Sequence, residues 1–330
     1  MTRADLLRSD GNGRRPGIAS DITAANFSAG LALALSGSIL FSAKAIFIKL
    51  SYRYGVDPVT LIALRMAFSL PFFLLALWWT SFRKQAGDAA ATLSPRDHLK
   101  LIAIGLLGYY AASYLSFLGL QYVTAALERL ILYLTPTIVL VISVTWLGHR
   151  VARVQAIALA LSYGGIVLAF WHDASFAGGR VLLGAALVFA SAVCYAIYLV
   201  AAGQLVKRVG AVRLVSYAMT VSSVACFVQF ALLNPWAALQ QPMPVYALSL
   251  LNATLSTVLP VFATMLAVAR IGAGNAALAS TVGPVATIVL GYVFLDEGVS
   301  RWQIAGTVLV MTGVYVLSQQ AGARGAAPAK

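Results

Sequence analysis

The chain has 330 residues, of which 61% are hydrophobic and 10% are charged, and its formal net charge is +13. Soluble globular proteins carry about 25% charged residues, so this composition excludes a soluble fold and indicates an integral membrane protein. The basic excess does not indicate nucleic-acid binding either, because the positions of the basic residues follow a membrane topology.

The apolar stretches predict ten transmembrane helices. A helix needs about 20 apolar residues to span the hydrocarbon core, and the runs are continuous rather than alternating, which favours helices over a barrel. The polar residues 1–26 predict a disordered cytoplasmic tail without a signal peptide, and residues 319–330 predict a second tail. The ten stretches lie near 30–51, 58–80, 99–119, 123–147, 152–171, 181–204, 212–233, 244–268, 274–295 and 301–318.

The distribution of Lys and Arg predicts the orientation. With the N-terminus placed in the cytoplasm, the inside segments hold 16 basic residues, whereas the outside loops hold Arg53, Arg180 and Arg301, with Lys49 at the outer border of the first helix. This asymmetry follows the positive-inside rule. We therefore expect a multi-pass protein of the bacterial inner (plasma) membrane with both termini in the cytoplasm.

The chain contains an internal repeat. Residues 122–168 and 270–316 align without a gap after a shift of 148 positions, and 10 of the 47 positions are identical. Each copy extends to five helices, over 27–171 and 172–318. Because five is odd, the two units cross the membrane in opposite senses, which is the inverted-repeat architecture of many secondary transporters. The matches that carry most weight are Pro136 with Pro284, Arg153 with Arg301, Gln155 with Gln303 and Gly165 with Gly313.

The repeated passages resemble a known domain. "LERLILYLTPTIVLVISVTWLGHRVARVQAIALALSYGGIVL" and "AALASTVGPVATIVLGYVFLDEGVSRWQIAGTVLVMTGVYVL" are similar to the EamA domain, which occurs twice in the drug/metabolite transporter superfamily. The first turn has His149 where Glu is usual. The resemblance implies ten helices, cytoplasmic termini, and efflux or exchange of small metabolites, without implying a particular substrate.

Four ionisable residues lie inside the predicted spans: Lys44, Arg65, Glu128 and Arg129. Buried charges in membranes are costly and point to function. All four are placed at one depth near the outer side, and Glu128 is expected to face Lys44 or Arg65 while Arg129 points elsewhere. One hypothesis is a structural salt bridge or basic side chains that snorkel to the surface. The other is a gate or substrate anchor, and its surplus positive charge favours anionic or zwitterionic substrates such as amino acids.

Two further features belong to this cluster. The second repeat has Ala276 and Ala277 at the positions that copy Glu128 and Arg129, so the charges are specific to the first repeat. Glu128 is also the only predicted intramembrane carboxylate, which makes it the candidate carrier for proton coupling.

Aromatic and polar residues extend the predicted site. Helical spacing places Tyr110 and Tyr114 on one face of helix three, while Tyr195 belongs to a similar stripe on helix six. Tyr133 lies one turn from Arg129, and these tyrosines either line a cavity or simply pack between helices. Polar residues on helix eight, Asn252 and Ser256, either hydrogen-bond across helices or line water.

Prolines inside the spans predict helix breaks. Pro136 and Pro284 are copies of one another and are the candidate hinges, since such breaks mark sites and hinges in transporters. Ordinary packing geometry is the alternative explanation.

The remaining residues predict no catalysis and no cofactor. There is no phosphate-binding Gly-rich motif and no His, Cys or acid cluster with metal-ligand spacing. The expected partners are a small-molecule substrate and the lipid bilayer, with no nucleic acid. An integral-membrane enzyme, or a sensor without transport activity, is the alternative hypothesis, and neither alternative explains the repeat.

Overall fold

The computed structural model describes residues 16–82, 95–147, 153–177, 180–280 and 282–325, and these ranges contain helices with short connections and no strand. The expected all-helical fold is therefore confirmed for the described residues. Two π-helical turns, Leu106–Ala111 and Thr254–Val258, join consecutive helices. The helices are α1 (Pro16–Tyr52), α2 (Pro58–Phe82), α3 (Pro95–Gly105), α4 (Ala112–Gly119), α5 (Ala125–Leu132), α6 (Thr135–Leu147), α7 (Arg153–Ala177), α8 (Arg180–Val209), α9 (Ala211–Leu233), α10 (Met243–Ala253), α11 (Leu259–Ala279), α12 (Val282–Leu295) and α13 (Arg301–Gly325).

Helix α1 begins earlier than the sequence suggests. Its first residue is Pro16, so residues 16–26, which were expected to be part of a disordered tail, form the first turns of the helix. Proline is favoured in the first turn of a helix because no backbone partner is needed there. Residues 1–15 and 326–330, which include the rest of both predicted tails, lie outside the described residues.

Seven helical stretches are long and apolar enough to cross a membrane. Two shorter apolar helices, Ala156–Ala169 in α7 and Val282–Leu295, accompany them. The surface is apolar as well: Leu182, Leu232 and Val289 are each more than half exposed. An apolar helix surface of this kind is stable in lipid and not in water, so the chain is a multi-pass membrane protein.

The contacts of α11 with α1 show that the chain does not run straight from Thr264 to Ser280. Thr264 lies against Gly37, and the carbonyl of Ser280 accepts a hydrogen bond of 2.8 Å from Ser38. In a straight helix, 16 residues span about 24 Å, so two adjacent residues of α1 could not contact both.

The sequence copies α7 and α13 pack on each other in antiparallel fashion. A Cβ added at Gly165 would lie 2.6 Å from the carbonyl oxygen of Gly306, and one added at Gly313 would lie 2.6 Å from that of Ala158. Shifting each residue by the repeat offset converts the first contact into the second. The two helices therefore meet through small residues at equivalent positions, which allows their backbones to approach closely.

The other helix pairs follow the same exchange. Helix α1 packs along α11 and α12, α2 along α9, and α4 along α8. In the order of the ten predicted spans, α1 is the first, α2 the second, α4 part of the third and α7 the fifth, while α8, α9, α11 and α13 belong to the sixth, seventh, eighth and tenth. Exchanging each span for the one five places away leaves the pairs α7–α13 and α2–α9 unchanged. The same exchange converts the pair α1–α11 into the pair α8–α4. The helix pairing is thus unchanged when the two halves of the sequence are interchanged.

The copied prolines lie at the start of helices and not at their centres. The fourth predicted span is interrupted at Tyr133 and Leu134, and Pro136 is in the first turn of α6. The ninth is interrupted between Ser280 and α12, whose first turn contains Pro284. The helix breaks expected at the two prolines are therefore present, and each falls a few residues before its proline. Proline lacks an N–H donor and restricts the preceding residue, so it fits the first turn and ends the helix before it.

Candidate functional site

The ion pair of the predicted cluster joins α1 to α5 and is mediated by α4. Lys44 Nζ lies 3.1 Å from Glu128 Oε1. The same ammonium donates to Ser116 Oγ at 3.1 Å, and Ser116 Oγ donates to Glu128 Oε1 at 2.7 Å. Glu128 is only 1% exposed. Of the two basic partners that the sequence allowed for Glu128, the structure selects Lys44.

Arg65 is buried apart from the carboxylate. Its Nη2 donates to Ser113 Oγ at 3.0 Å, and its guanidinium lies over the Phe117 ring at 4.9 Å. Ser113 and Ser116 are three residues apart and share one face of α4. The hydroxyls of this face therefore hold Arg65 and the Lys44–Glu128 pair side by side.

Arg129 points away from Glu128, as expected for neighbours about 100° apart on a helix. Its guanidinium lies between two aromatic rings, 5.2 Å from the centroid of Phe41 and 5.6 Å from that of Tyr133. The residue is 8% exposed, and its Nε is buried without a hydrogen-bond partner. In the described part of the chain no carboxylate lies within ion-pair distance of this guanidinium.

Arg129 contacts the second half of the molecule at the break before α12. The carbonyl of Ser280 accepts hydrogen bonds from the hydroxyls of Tyr133 and Ser38. The Gly283 carbonyl accepts a hydrogen bond of 2.9 Å from Ser42. Hydroxyl groups of α1 and Tyr133 thus bind the backbone at the start of α12. The two interrupted spans therefore meet beside Arg129.

The structure separates the predicted tyrosines into two groups. Tyr110 and Tyr114 stack with ring centroids 6.4 Å apart and border the main core of α1, α2 and α9. Tyr195 instead packs at 5.5 Å on Tyr198, which contacts Tyr109 at 5.0 Å. The third predicted span thus presents tyrosines on two faces. Tyr195 does not join the stack of Tyr110 and Tyr114.

Asn252 and Ser256, the polar residues predicted on the eighth span, are buried and make no side-chain hydrogen bond. Both polar atoms of Asn252 and the hydroxyl of Ser256 are inaccessible and without partners, as is the hydroxyl of Ser249. They lie beside the π-helical turn Thr254–Val258, which widens the helix in front of Pro260. Cross-helix hydrogen bonding, one of the two expectations for Asn252 and Ser256, is thus absent from this state.

A second ionic cluster was missed by the sequence analysis. Both carboxylate oxygens of Glu297 accept hydrogen bonds from Ala125 N, at 3.1 and 3.0 Å, and Glu297 Oε1 lies 2.8 Å from Lys49 Nζ. Lys49 also donates to the Val123 carbonyl at 2.8 Å. Glu297 therefore ties the connection before α13 to the ends of α1 and α5. We call this group, Lys49, Ala125 and Glu297, the end latch.

The two acidic residues before α13 lie close to Arg301 in sequence but pair with basic residues of α1 or the turn that follows it. Asp296 lies 3.9 Å from Arg53, Glu297 pairs with Lys49, and Arg301 lies over the ring of Trp302 at 5.5 Å. Lys49 and Glu297 are far apart in the chain, so the sequence of the turn around Glu297 does not indicate that the two residues pair.

Among the described residues no group of three or more His, Cys, Asp or Glu is placed to hold a metal ion. The hinge candidates differ in environment: Pro136 is exposed, whereas Pro284 is buried. What the site offers chemically is a buried ion pair, two further guanidinium groups and unpartnered hydroxyl and amide groups, all between helices. Buried charges and unpartnered polar groups of this kind suit the binding of a polar ligand.

Comparison with known proteins identifies the class. The model of the EamA-like transporter family matches the chain twice, over residues 28–171 and 182–319. The chain therefore belongs to the EamA-like transporter family, as the resemblance of its repeated passages implied, and it is a membrane transporter. Such a protein acts on a small-molecule substrate in the lipid bilayer.

Individual relatives agree with this assignment. The chain is 29% identical to "Uncharacterized transporter YcbK" of Bacillus subtilis, over 87% of this chain and 92% of the relative. An "Uncharacterized transporter" of Archaeoglobus fulgidus is 22% identical, over 82% of this chain and 91% of that protein. A solved structure titled "Crystal structure of protein" matches with a TM-score of 0.60 at 17% identity, covering 89% of this chain and 98% of that one, and shares its fold.

Proposed function

We propose that this protein is a secondary transporter, an exporter or exchanger, that moves small anionic or zwitterionic metabolites such as amino acids across the bacterial inner membrane by alternating access. Its ten spans form two inverted five-helix repeats. The observation that carries the proposal is the exchange symmetry of the Gly165–Gly306 and Ala158–Gly313 contacts. Sequence copies that pack in antiparallel fashion through equivalent residues are what an inverted repeat requires.

The site that we assign to this function lies between the halves. Its charge is supplied by Lys44, Arg65, Glu128 and Arg129. Its aromatic surface is formed by Tyr110, Tyr114 and Tyr133, and its polar groups belong to Asn252 and Ser256. Two observations support this assignment: all four charged residues are buried, and the two interrupted spans meet beside Arg129. Interrupted helices form the sites of many secondary transporters. The breaks before Pro136 and Pro284 act as the hinges.

The direct test is a transport screen in proteoliposomes. Amino acids, organic acids and lipophilic cationic drugs are compared with and without a pH gradient. We expect uptake or exchange of carboxylate-bearing compounds, because positive charges outnumber the single carboxylate in the cluster. Tight binding of lipophilic cations together with no response to carboxylates would contradict the proposed substrate class.

Proton coupling through Glu128 is a separate proposal. Protonation of this carboxylate would release Lys44 from its ion pair and so link proton binding to the contact between α1 and α5. We expect Glu128→Gln to abolish transport driven by a pH gradient, with rates normalised to folded protein. Undiminished pH-driven transport by this variant would remove the proposal.

A further inference from the structure

Arg129 carries a buried charge that the described protein does not compensate directly. Its guanidinium lies over the rings of Phe41 and Tyr133 and beside Gly283, and its buried Nε has no hydrogen-bond partner. The adjacent Glu128 is already bound by Lys44 and Ser116. An unpaired buried charge is strongly unfavourable. A guanidinium held in this way therefore calls for an anion from outside the chain.

The second half of the molecule is shaped to accommodate this guanidinium. A Cβ added at Gly283 would lie 2.5 Å from Arg129 Nη2 and 3.0 Å from Ser38 Oγ. In the repeat, Arg129 is copied by Ala277 and Gly283 by Thr135. Arg129 and Gly283 thus pair a long side chain with a glycine. The equivalent positions in the other copies hold Ala277 and Thr135, which are neither long nor glycine. The pairing of Arg129 with Gly283 is a departure from the repeat that creates room for a charged group.

We propose that Arg129 anchors the carboxylate of the transported substrate, and that this substrate is an organic acid with net negative charge and not a zwitterion. The inference rests on the proposed transport function and narrows its substrate class. A guanidinium matches a carboxylate through two parallel hydrogen bonds. The flanking rings of Phe41 and Tyr133 favour an organic body over inorganic phosphate.

The exclusion of zwitterions follows from the carboxylate count. A bound amino acid would need an acidic partner for its ammonium group. Glu128 is the only carboxylate of the cluster, and its Oε1 is held at 3.1 Å by Lys44 and at 2.7 Å by Ser116. Taking Glu128 from Lys44 would leave a buried ammonium unpaired. A substrate without an ammonium group avoids this exchange.

The experiment compares matched pairs of compounds on the purified full-length protein. 4-Methyl-2-oxopentanoate is paired with leucine and phenylpyruvate with phenylalanine, so that each pair differs at the amino group. Binding is measured as protection against thermal unfolding in detergent over a concentration series. We expect the oxo acids to protect and their amino-acid partners to bind more weakly. Arg129→Gln should weaken oxo-acid binding by about 10- to 100-fold, the effect of losing a hydrogen-bonded charge.

The stability of the ligand-free variants separates an anchor from a structural residue. Because the charge of Arg129 has no direct counter-ion, Arg129→Met should leave the melting temperature of the ligand-free protein unchanged or raise it. A structural arginine would instead lower it. Gly283→Ala should also weaken oxo-acid binding, since it displaces the guanidinium, whereas Gly203→Ala serves as the control because nothing lies within 4 Å of that position.

Each contrary result has a defined meaning. The inference would be overturned if the amino acids or inorganic phosphate protected more strongly than the oxo acids, or if no compound of the panel protected. Unchanged oxo-acid binding in Arg129→Gln would also overturn it. If the oxo acids bind through Arg129 but are not moved into proteoliposomes, the anchor stands and the transport function fails. If cations are transported and oxo acids do not bind, transport stands and the anchor fails.

Discussion

Lys44 and Glu128 illustrate how single charges are tolerated among apolar helices. Each would be unfavourable alone, but together with Ser116 they form a compact group in which every partner is within 3.1 Å. Arg65 relies on Ser113 and the Phe117 ring instead. Arg129 is the exception, because its neighbours are aromatic faces. The three basic residues therefore differ in how far the protein itself satisfies them.

The Lys44–Glu128 pair gives a prediction for stability. Glu128→Gln leaves the buried ammonium of Lys44 without its counter-ion, and we expect the free energy of unfolding to fall by about 3–5 kcal/mol. Combining Lys44→Met with Glu128→Leu removes both charges and should restore most of this loss. Chemical unfolding in detergent measures both values. A double variant as unstable as Glu128→Gln would show that the destabilisation has another source.

At the scale of elements, interruptions are as informative as helices. The break after α5 and the break before α12 occur at copied positions. At the second break, hydroxyl groups of α1 and Tyr133 donate to the carbonyls of Ser280 and Gly283. Thr124 caps α5 by accepting a hydrogen bond of 3.1 Å from Leu127 N. The short helices at these breaks therefore have defined ends.

The close packing of α7 on α13 predicts that a single methyl group is not tolerated there. A Cβ at Gly165 would meet the Gly306 carbonyl at 2.6 Å, so Gly165→Ala should lower the free energy of unfolding by about 1–3 kcal/mol. A Cβ added at the neighbouring Gly164 would have no atom within 4 Å. Gly164→Ala should therefore leave the free energy of unfolding unchanged or raise it by about 1 kcal/mol, because alanine has the higher helix propensity. Unfolding of both variants in detergent checks this, and equal effects would argue against close packing.

The end latch predicts a difference between two adjacent acids. Glu297→Gln removes the charge that pairs with Lys49 and caps α5, and it should cost about 1–3 kcal/mol. Asp296→Asn should change stability by no more than about 0.5 kcal/mol, because the Asp296 side chain is 92% exposed and its nearest pairing distance is 3.9 Å. Melting temperatures of the two variants give the comparison. A larger effect of Asp296→Asn than of Glu297→Gln would mean that Asp296, and not Glu297, is the stabilising carboxylate.

For the whole molecule, the prediction is its orientation in the membrane. If ten spans are present and the positive-inside rule applies, alkaline phosphatase fused after residue 330 should be inactive and green fluorescent protein should be fluorescent. Phosphatase inserted at 236–239 or at 297–300 should be active. An active C-terminal phosphatase fusion would place the C-terminus outside and would contradict the predicted orientation. If the fusions at 236–239 and 297–300 were active as well, ten spans in a simple alternating order would also be contradicted.

Part of the candidate site was predictable from the sequence. The four charges stood out because ionisable residues are rare in spans, and the 100° step per residue separated Glu128 from Arg129 before any coordinates were considered. The choice of Lys44 over Arg65, the bridging role of Ser116 and the place of Gly283 beside Arg129 depend on how helices distant in sequence pack. The bond from Ala125 to Glu297 joins positions 172 residues apart, and no local pattern encodes it.

The sequence by itself determined that the chain is a helical membrane transporter with a repeat, because hydropathy, charge asymmetry and internal similarity are properties of the chain alone. Only the tertiary structure decided which charges are paired, where the helices are interrupted and what the second half offers to Arg129. The physical reason is that burial and counter-ions are set by neighbours from other helices. In the fold, Lys44 is paired with Glu128, Arg65 is held by Ser113, and Arg129 has no described carboxylate beside it.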